Sequence, residues 1–457
     1  MRRLEVLVLN FGDIVANFGA ESSLWFFMMR RSRLFLCALM LASLVLPVVA
    51  SAQFKTGEEL VKKDVEFTAE IREQILTGLT DILETRAFVP GLDFKKWDDL
   101  LAKNRDELLK IETENGFTAG VNRLLRDFGI THIGLQSPRS ANFRRTGVTS
   151  GLGVGAQFAD GALVVRSVAD GSPAAKAGLK IGDKIVTIDG VAVTESSRLA
   201  PNGDAELKLT FIRGNEAVRE VSVKSGEYQV NRADTLTWIG DDIAVLRINS
   251  FSRGYDRQAI DKMMTEAAKA KGVIVDLRNN GGGAVSNLAH LMGLFIDSNE
   301  PVGTFVNRQM MRAFLDEKKV ETGDVKEIAA WGQNRYRPQL PTIPRYEGKV
   351  AVLINRGSAS ASEIFSAAMR DVRGAVIVGQ TSRGAVLAST YGRLAGGFEI
   401  QYPVSDYVTI KGQRLEGDPV VPTLPVQNGN EPGDQVLDAA VNALRTGPVL
   451  AKILSSQ

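Results

Sequence analysis

Between residues 58 and 128, apolar residues recur at helical spacing, with charged residues between them and few glycines or prolines. This periodicity predicts amphipathic helices that bury one face. The pair Pro90-Gly91 interrupts the pattern, and the last helix is expected to end near Gly129. We therefore predict a helical N-terminal domain over residues 53–140. The apolar positions are Leu60, Phe67, Ile71, Ile75, Leu79, Leu83, Trp97, Leu100, Leu101, Leu108, Leu109, Val121, Leu124 and Leu125.

Residues 141–228 have a different pattern, in which short runs of β-type residues alternate with glycines. Runs of this length and composition are typical of strands. Between the first two runs, Ser172-Pro173 fits a helix N-cap followed by proline, and Gly178 fits the helix end. We expect a small, strand-rich domain here. Its predicted strands are residues 162–168, 184–189 and 206–213.

From residue 229 to 457, predicted strands alternate with predicted helices. This alternation indicates a mostly parallel sheet covered on both faces, with functional groups at the strand ends. The fold class is therefore predicted to be multidomain α/β. The predicted strands are 243–248, 272–277, 349–354 and 375–378; the helices are 255–270, one after the glycines at 281–283, and 363–372.

The first 52 residues are typical of a targeting segment rather than of a folded domain. Three arginines precede the apolar run 34–46, and Ala50-Ser51-Ala52 resembles a cleavage site. The run is short for a membrane span, which needs about 20 residues. We expect translation to start at Met28 or Met29 and the chain to be exported to the periplasm or cell envelope. An uncleaved signal that anchors the chain in the membrane is the alternative.

Composition narrows the possible chemistry of this chain of 457 residues. Lys and Arg total 55 against 53 Asp and Glu, so nothing favours a nucleic-acid partner. The single cysteine, Cys37, excludes a disulfide framework and a thiolate-rich metal site. Only His132 and His290 offer an imidazole. No metal-ligand spacing or phosphate loop is found, so no cofactor is expected, and a homo-oligomer stays open.

The segment Ser150-Gly-Leu-Gly-Val-Gly155, with the strands and helix that follow it, resembles a PDZ domain over about 80 residues. The resemblance implies that the loop presents backbone N–H groups to the terminal carboxylate of a peptide, which adds a strand to the sheet. It implies a peptide site at Leu152, Gly153 and Val154. The alternative is a glycine-rich hairpin without a ligand. The segment 194–200 is short, so the helix beside the usual groove is expected to be truncated.

Two turns rich in glycine or serine follow predicted strands. The turn 276–283 ends in three glycines, whose N–H groups can point into a cleft as an oxyanion hole requires. The turn 355–363 leads into a helix start, where a serine hydroxyl lies close to free N–H groups. Ser360 and Glu363 also match a capping box, so Glu363 serves either as a helix cap or in catalysis.

Together, these turns resemble those of the C-terminal processing (tail-specific) and tricorn-core group of serine peptidases. The resemblance implies a helical region, a PDZ domain and a ClpP/crotonase-like α/β peptidase core, in this order. It implies that Ser360 is the nucleophile. It also implies that the N–H groups of Ala361 and Gly282 form the oxyanion hole, with Gly282 preferred over Gly283.

A serine nucleophile needs a group that accepts its proton. Processing proteases of this group use a lysine at the position of Ala385, and Arg383 cannot replace it because guanidinium stays protonated. The tricorn-like branch uses a histidine after the helical region and a late glutamate. This resemblance implies His132 as the base, held by Glu416 through the Thr131 hydroxyl.

Other bases are open on the sequence alone. His290 is predicted to pack against the core, with a role as base as its alternative, and Lys411 is another candidate.

The sequence therefore predicts an exported serine endopeptidase that hydrolyses polypeptides through an acyl-enzyme, with PDZ recognition of substrate C-termini. The rival hypothesis is an inactive scaffold or adaptor that binds peptide tails, which the missing lysine motivates.

Overall fold

The computed structural model describes residues 66–199, 205–230, 233–428 and 433–446. The predicted targeting segment, including Cys37, and the predicted helical position Leu60 lie outside these residues. Within the described ranges, no helix has the length and apolar character that crossing a bilayer requires.

The N-terminal region is helical, as its periodicity predicts. Thr68 and Thr113 cap two of the helices, because their hydroxyls accept hydrogen bonds from Ile71 N (3.3 Å) and Gly116 N (3.2 Å). Gly129, at φ 64°, ends the last turn in the left-handed conformation that glycine adopts readily. The elements are α1 (Ala69–Thr85), α2 (Lys96–Leu109), α3 (Glu114–Leu125), a 3-10 turn (Arg126–Phe128), β1 (Gly134–Gln136) and α4 (Pro138–Thr146).

The middle region is a six-stranded sheet with the strand order β3-β4-β5-β7-β8, in which β6 pairs with β5. Strand β3 is therefore at the sheet edge. The separate ribbon of β2 and β9 marks where the chain enters and leaves this region. The elements are β2 (Val148–Gly151), β3 (Val154–Ala159), β4 (Ala162–Val168), α5 (Pro173–Lys176), β5 (Lys184–Ile188), β6 (Val191–Ala192), β7 (Glu206–Ile212), β8 (Arg219–Lys224) and β9 (Gly226–Gln229).

The C-terminal region contains the predicted, mostly parallel sheet, in the order β10-β11-β12-β14-β15-β18. Only β10 is antiparallel to its neighbour. The elements are β10 (Thr235–Ile239), β11 (Ile243–Arg247), α6 (Arg257–Ala267), β12 (Gly272–Asp276), α7 (Val285–Gly293), β13 (Gly303–Asn307), α8 (Arg308–Lys318), α9 (Val325–Trp331), β14 (Lys349–Ile354), α10 (Ala361–Asp371), β15 (Val376–Gly379), β16 (Ala388–Arg393), β17 (Glu399–Thr409), β18 (Leu424–Pro425) and α11 (Gln435–Thr446).

A second, antiparallel sheet was not expected from the sequence. Its centre is the 11-residue strand β17, which pairs with β1, β13 and β16. The pairing of β1 with β17 places Leu135 opposite Ile400. The end of the helical region is therefore a strand of a sheet whose other members come from the C-terminal region.

The helical region and this second sheet share one apolar cluster. Phe117 of α3 is fully buried and packs edge-on against Phe398, with ring centroids 6.3 Å apart. Ile400 and Tyr402 of β17 belong to the same cluster as Trp97. The two regions are therefore stabilised by common contacts, and the position of the segment after α3 depends on them.

We predict that Phe117→Ala lowers the free energy of unfolding by about 3–5 kcal/mol, because it leaves a cavity in this shared cluster. The measurement is guanidinium unfolding followed by both tryptophan fluorescence and far-ultraviolet circular dichroism. Leu340→Ala, at a side chain that is 73% exposed, is the control and should change stability by less than about 0.5 kcal/mol. Equal effects of the two substitutions would contradict the shared cluster.

Candidate active site

Ser360 lies in the turn between β14 and α10 and has an unusual backbone conformation. Its φ of 57° and ψ of −118° lie outside the regions that L-residues usually adopt. Ser360 N donates hydrogen bonds to Ala385 O (2.8 Å) and to Glu363 Oε2 (3.1 Å). Strained conformations of this kind persist only where surrounding contacts impose them, and they cluster at functional sites.

Glu363 is the residue that imposes this conformation. Its fully buried carboxylate accepts hydrogen bonds from Ser382 Oγ (2.5 Å), Gly384 N (2.7 Å) and Ala385 N (2.9 Å), in addition to Ser360 N. Burial raises the pKa of the Glu363 carboxyl, and these hydrogen bonds oppose the rise. The geometry fits the capping interpretation, since Glu363 both caps α10 and fastens residues 382–385 to the serine turn.

The glycine turn lies directly against Ser360. Gly282 has a φ of 94°, and a Cβ there would be 2.7 Å from Ser360 Cβ and 2.9 Å from Ala361 N. A side chain at this position would therefore collide with the serine turn, which explains the glycine.

The direction of the Gly282 N–H differs from our expectation. This N–H donates to Asn280 Oδ1 at 2.9 Å, and Gly282 is buried. The neighbouring Gly283 is exposed to the cleft, and its N–H has no hydrogen-bond partner among the described residues. Ala361 N, at the first position of α10, likewise has no partner in the described ranges.

The Nδ1 side of the His132 ring is positioned by Thr131 and Glu416, which are far apart in the sequence. The Thr131 hydroxyl donates to Glu416 Oε2 (2.9 Å), and Thr131 N donates to Glu416 Oε1 (2.9 Å). Thr131 Oγ1 lies 2.7 Å from His132 Nδ1. Because the hydroxyl proton is directed at the carboxylate, Oγ1 must accept from Nδ1–H. This arrangement leaves Nε2 as the unprotonated nitrogen.

Burial lowers the pKa of the His132 imidazole below its usual value. The negative charge of Glu416 opposes this effect, while the positive charge of Arg383 adds to it. His132 also has a φ of 56°, which is uncommon for a residue other than glycine. The histidine is therefore fixed in place and is mostly neutral at pH 7.

Ser360 and His132 line one cleft of about 460 Å³. Thr131 and Glu416 lie behind the imidazole, and the glycine turn and the start of α10 form part of the wall. The lining residues are His132, Arg144, Ser252, Gly281, Gly282, Gly283, Ala284, Val285, Leu288, Phe305, Ser360, Ala361, Ile364, Val386, Leu387, Ala388, Ser389, Tyr391 and Gln401. The structure thus brings together two segments that are distant in the sequence.

The alternative bases have other contacts. Both ring nitrogens of His290 are engaged, Nδ1 at 2.9 Å from the Tyr255 hydroxyl and Nε2 at 2.9 Å from Asp261 Oδ1. Lys411 is 64% exposed and pairs with Asp371 at 3.8 Å. Asp371 ends α10, about 15 Å from Ser360 at the other end of this helix. The structure therefore favours neither His290 nor Lys411 as a base for Ser360.

The predicted peptide site is placed partly as expected. Val154 begins the edge strand β3, and Gly153, at φ 74°, lies so close to Ser172 that a Cβ would be 2.2 Å from Ser172 Cβ. Leu152, however, is only 3% exposed and packs in the core of the middle region, so it does not line an open pocket. Residues 194–199 contain a turn at Glu195-Ser196 and no helix; residue 200, the last of the segment expected to be truncated, lies outside the described residues.

Several residues of the site were missed by sequence analysis. Asn280 accepts the Gly282 N–H, and an asparagine beside three glycines is a turn signal that could have indicated this role. Ser382, which links Glu363 to Val420 N, and Arg144, which lines the cleft, gave no such signal.

Within the described residues, no group of three or more His, Cys, Asp and Glu side chains is placed to hold a metal ion.

Two regions of the chain match the models of known protein families. Residues 242–426 match the model of peptidase family S41, and residues 150–224 match a PDZ domain. The chain therefore combines N-terminal helices, a PDZ domain and an S41 peptidase core. These matches confirm the predicted resemblance and the multidomain α/β fold class.

Curated bacterial proteins are similar to the chain, and two of them illustrate the match. A "Probable CtpA-like serine protease" of Staphylococcus haemolyticus is 27% identical over 66% of this chain and 58% of that protein. A "Tail-specific protease" of Haemophilus influenzae is 28% identical over 64% of this chain and 42% of that protein. The chain thus spans less than two thirds of the length of either. A solved photosystem II D1 C-terminal processing protease aligns over 82% of this chain and 98% of its own, with 20% identity and a TM-score of 0.46.

We predict that His132 titrates below its reference pKa of about 6.5 and that Glu416→Gln lowers its midpoint further. The substitution removes a negative charge that stabilises the imidazolium. The measurement is a nuclear magnetic resonance titration of labelled histidine, with His290→Asn to assign the two signals. Glu300→Gln, at an exposed site, should leave the midpoint unchanged. A midpoint that rises in Glu416→Gln would contradict the contact.

Proposed function

We propose that this chain is a serine peptidase that hydrolyses peptide bonds in polypeptides through an acyl-enzyme. The observation that carries the proposal is the array of Glu416, Thr131 and His132 on the cleft that Ser360 also lines. The match of residues 242–426 to a peptidase family supports it.

In the proposed reaction, His132 Nε2 accepts the proton of the Ser360 hydroxyl as Oγ attacks the carbonyl carbon of the substrate. The resulting oxyanion is bound by the N–H groups of Ala361 and Gly283. Gly283 replaces Gly282 in this role, because the Gly282 N–H already donates to Asn280 Oδ1. When the tetrahedral intermediate collapses, the peptide C–N bond breaks and His132 donates its proton to the departing amine. Water then attacks the acyl-enzyme with the same proton transfers and releases Ser360.

Glu416 has an electrostatic role in this scheme. Its carboxylate holds Thr131, so that Nδ1–H of His132 stays bonded and Nε2 faces the cleft. It also stabilises the imidazolium that forms during each step, because the negative charge lies close to the ring. Glu416 and Thr131 thus act through His132 and are positioning residues.

The PDZ domain is proposed to bind the C-termini of substrates. Among the described strands, β3 pairs only with β4, so an extended peptide can add a strand to its other edge. The similar protein of Haemophilus influenzae is named for tail specificity, which supports this role. Because Leu152 is buried, the side chain of the last peptide residue would contact Val154 and its neighbours on β3.

We also propose that the chain is exported after cleavage of its N-terminal segment. The arginines, the apolar run and Ala50-Ser51-Ala52 support this proposal. The expected result is a mature protein that begins at Gln53, measured by N-terminal sequencing of protein from the cell envelope fraction. A product that keeps the apolar run would contradict cleavage.

Labelling by a fluorophosphonate tests the nucleophile and its base. We expect the wild type to be labelled once, and Ser360→Ala to lose both labelling and peptide hydrolysis while it unfolds at an unchanged temperature. His132→Ala should slow labelling by about 10²–10⁴-fold, because the proton acceptor is lost.

Lys411→Ala is the control for the rival base and should be labelled at the wild-type rate. Loss of labelling in Lys411→Ala with retention in His132→Ala would overturn the assignment of the base. An unlabelled wild type that still binds peptide tails would instead support an inactive scaffold.

A further inference from the structure

Among the described residues that line the cleft, Arg144 is the one cationic side chain apart from the titratable His132. It lies in the last turn of α4, and its guanidinium carbon is 3.5 Å from the ring centroid of Tyr391. Its Nε donates to Gln136 Oε1 (3.2 Å), and its Nη2 pairs with Glu399. These contacts fix the plane of the guanidinium along the cleft wall.

The charge of Arg144 is only partly compensated. Glu399 is 5% exposed and pairs with both Arg144 and Arg145, so two cations share one carboxylate. Nη1 of Arg144 has no hydrogen-bond partner among the described residues. No Asp or Glu of the described ranges lines the cleft. One edge of a fixed, half-buried guanidinium is therefore free to face whatever occupies the cleft.

The rest of the cleft wall has an apolar part and a polar part. Leu288, Phe305 and Ile364 provide apolar surface, whereas Ser389 and Gln401 bring a hydroxyl and an amide that are joined by a 2.8 Å hydrogen bond. A planar guanidinium with free N–H groups binds a carboxylate better than it binds a neutral amide, because the hydrogen bond is charge-assisted.

We propose that Arg144 is a specificity residue that selects polypeptides with a carboxylate near the scissile bond. This inference rests on the proposed function of the same cleft. The carboxylate is either the side chain of an acidic residue or the free C-terminus of a short tail, since both present the same group to Nη1.

The experiment compares matched peptides that differ only in this charge. One series exchanges Glu for Gln at each of the three positions on either side of the cleaved bond. A second series exchanges a free C-terminus for an amide. For the Glu/Gln pair at one position, or for the pair with a free or amidated C-terminus, the wild type should cleave the peptide that carries the carboxylate with a kcat/KM about tenfold higher than the neutral peptide. The position identifies the source of the carboxylate.

Arg145 provides a matched control, because it pairs with the same Glu399 but does not line the cleft. In Arg144→Gln, the ratio of kcat/KM for the charged and neutral peptides should fall to about 1, so that no preference remains. Arg144→Lys should retain part of the preference. Arg145→Gln should keep the full preference. Equal preferences in Arg144→Gln and the wild type would overturn the inference, as would equal losses in Arg144→Gln and Arg145→Gln.

A binding measurement separates this inference from the proposed function. The same peptide pairs are titrated against Ser360→Ala and against Ser360→Ala with Arg144→Gln. A charge preference in the first protein that the second lacks supports the role of Arg144, even if the wild type cleaves nothing. Cleavage by the wild type without a charge preference in any pair supports the peptidase and overturns the role of Arg144.

Discussion

The pair of hydrogen bonds between Thr131 and Glu416 is the constraint on which the site depends. It joins residues that are 285 positions apart and so fixes the end of the helical region against the peptidase core. The same carboxylate accepts Val386 N at 2.8 Å, in the segment that follows Ala385. Because Ala385 binds Ser360 N through its carbonyl, one short network positions both the proposed nucleophile and its base.

Two buried carboxylates, Glu363 and Glu416, anchor this network, and both are satisfied by amide and hydroxyl donors. Neither forms an ion pair with Lys or Arg in the described ranges. Burying an ionised carboxylate is costly unless it is hydrogen-bonded, so each must keep its donors in place. Because these donors are neutral, they stabilise the carboxylate of Glu416 without cancelling its negative charge. That charge acts on the His132 ring, where an imidazolium is proposed to form.

The sequence predicted those features that depend on local pattern. Strand β4 and the helix end at Gly129 lie where periodicity and a glycine place them. The antiparallel sheet around β17 was missed, because two of its three pairings, those with β1 and β13, join segments that are far apart in the chain. The direction of the Gly282 N–H and the burial of Leu152 were also missed. Both are set by neighbours that pack against these residues, and a glycine motif does not encode them.

Ala385 explains why the base has to come from elsewhere. It is 4% exposed, and its N–H and carbonyl are both engaged, by Glu363 and Ser360. The backbone at this position therefore helps to shape the serine turn, but its methyl group cannot accept a proton. In the proposed mechanism, β1 compensates by fixing the segment that carries His132 beside β17. The helical region is then part of the catalytic site, because the contacts that stabilise its packing also hold the imidazole in the cleft.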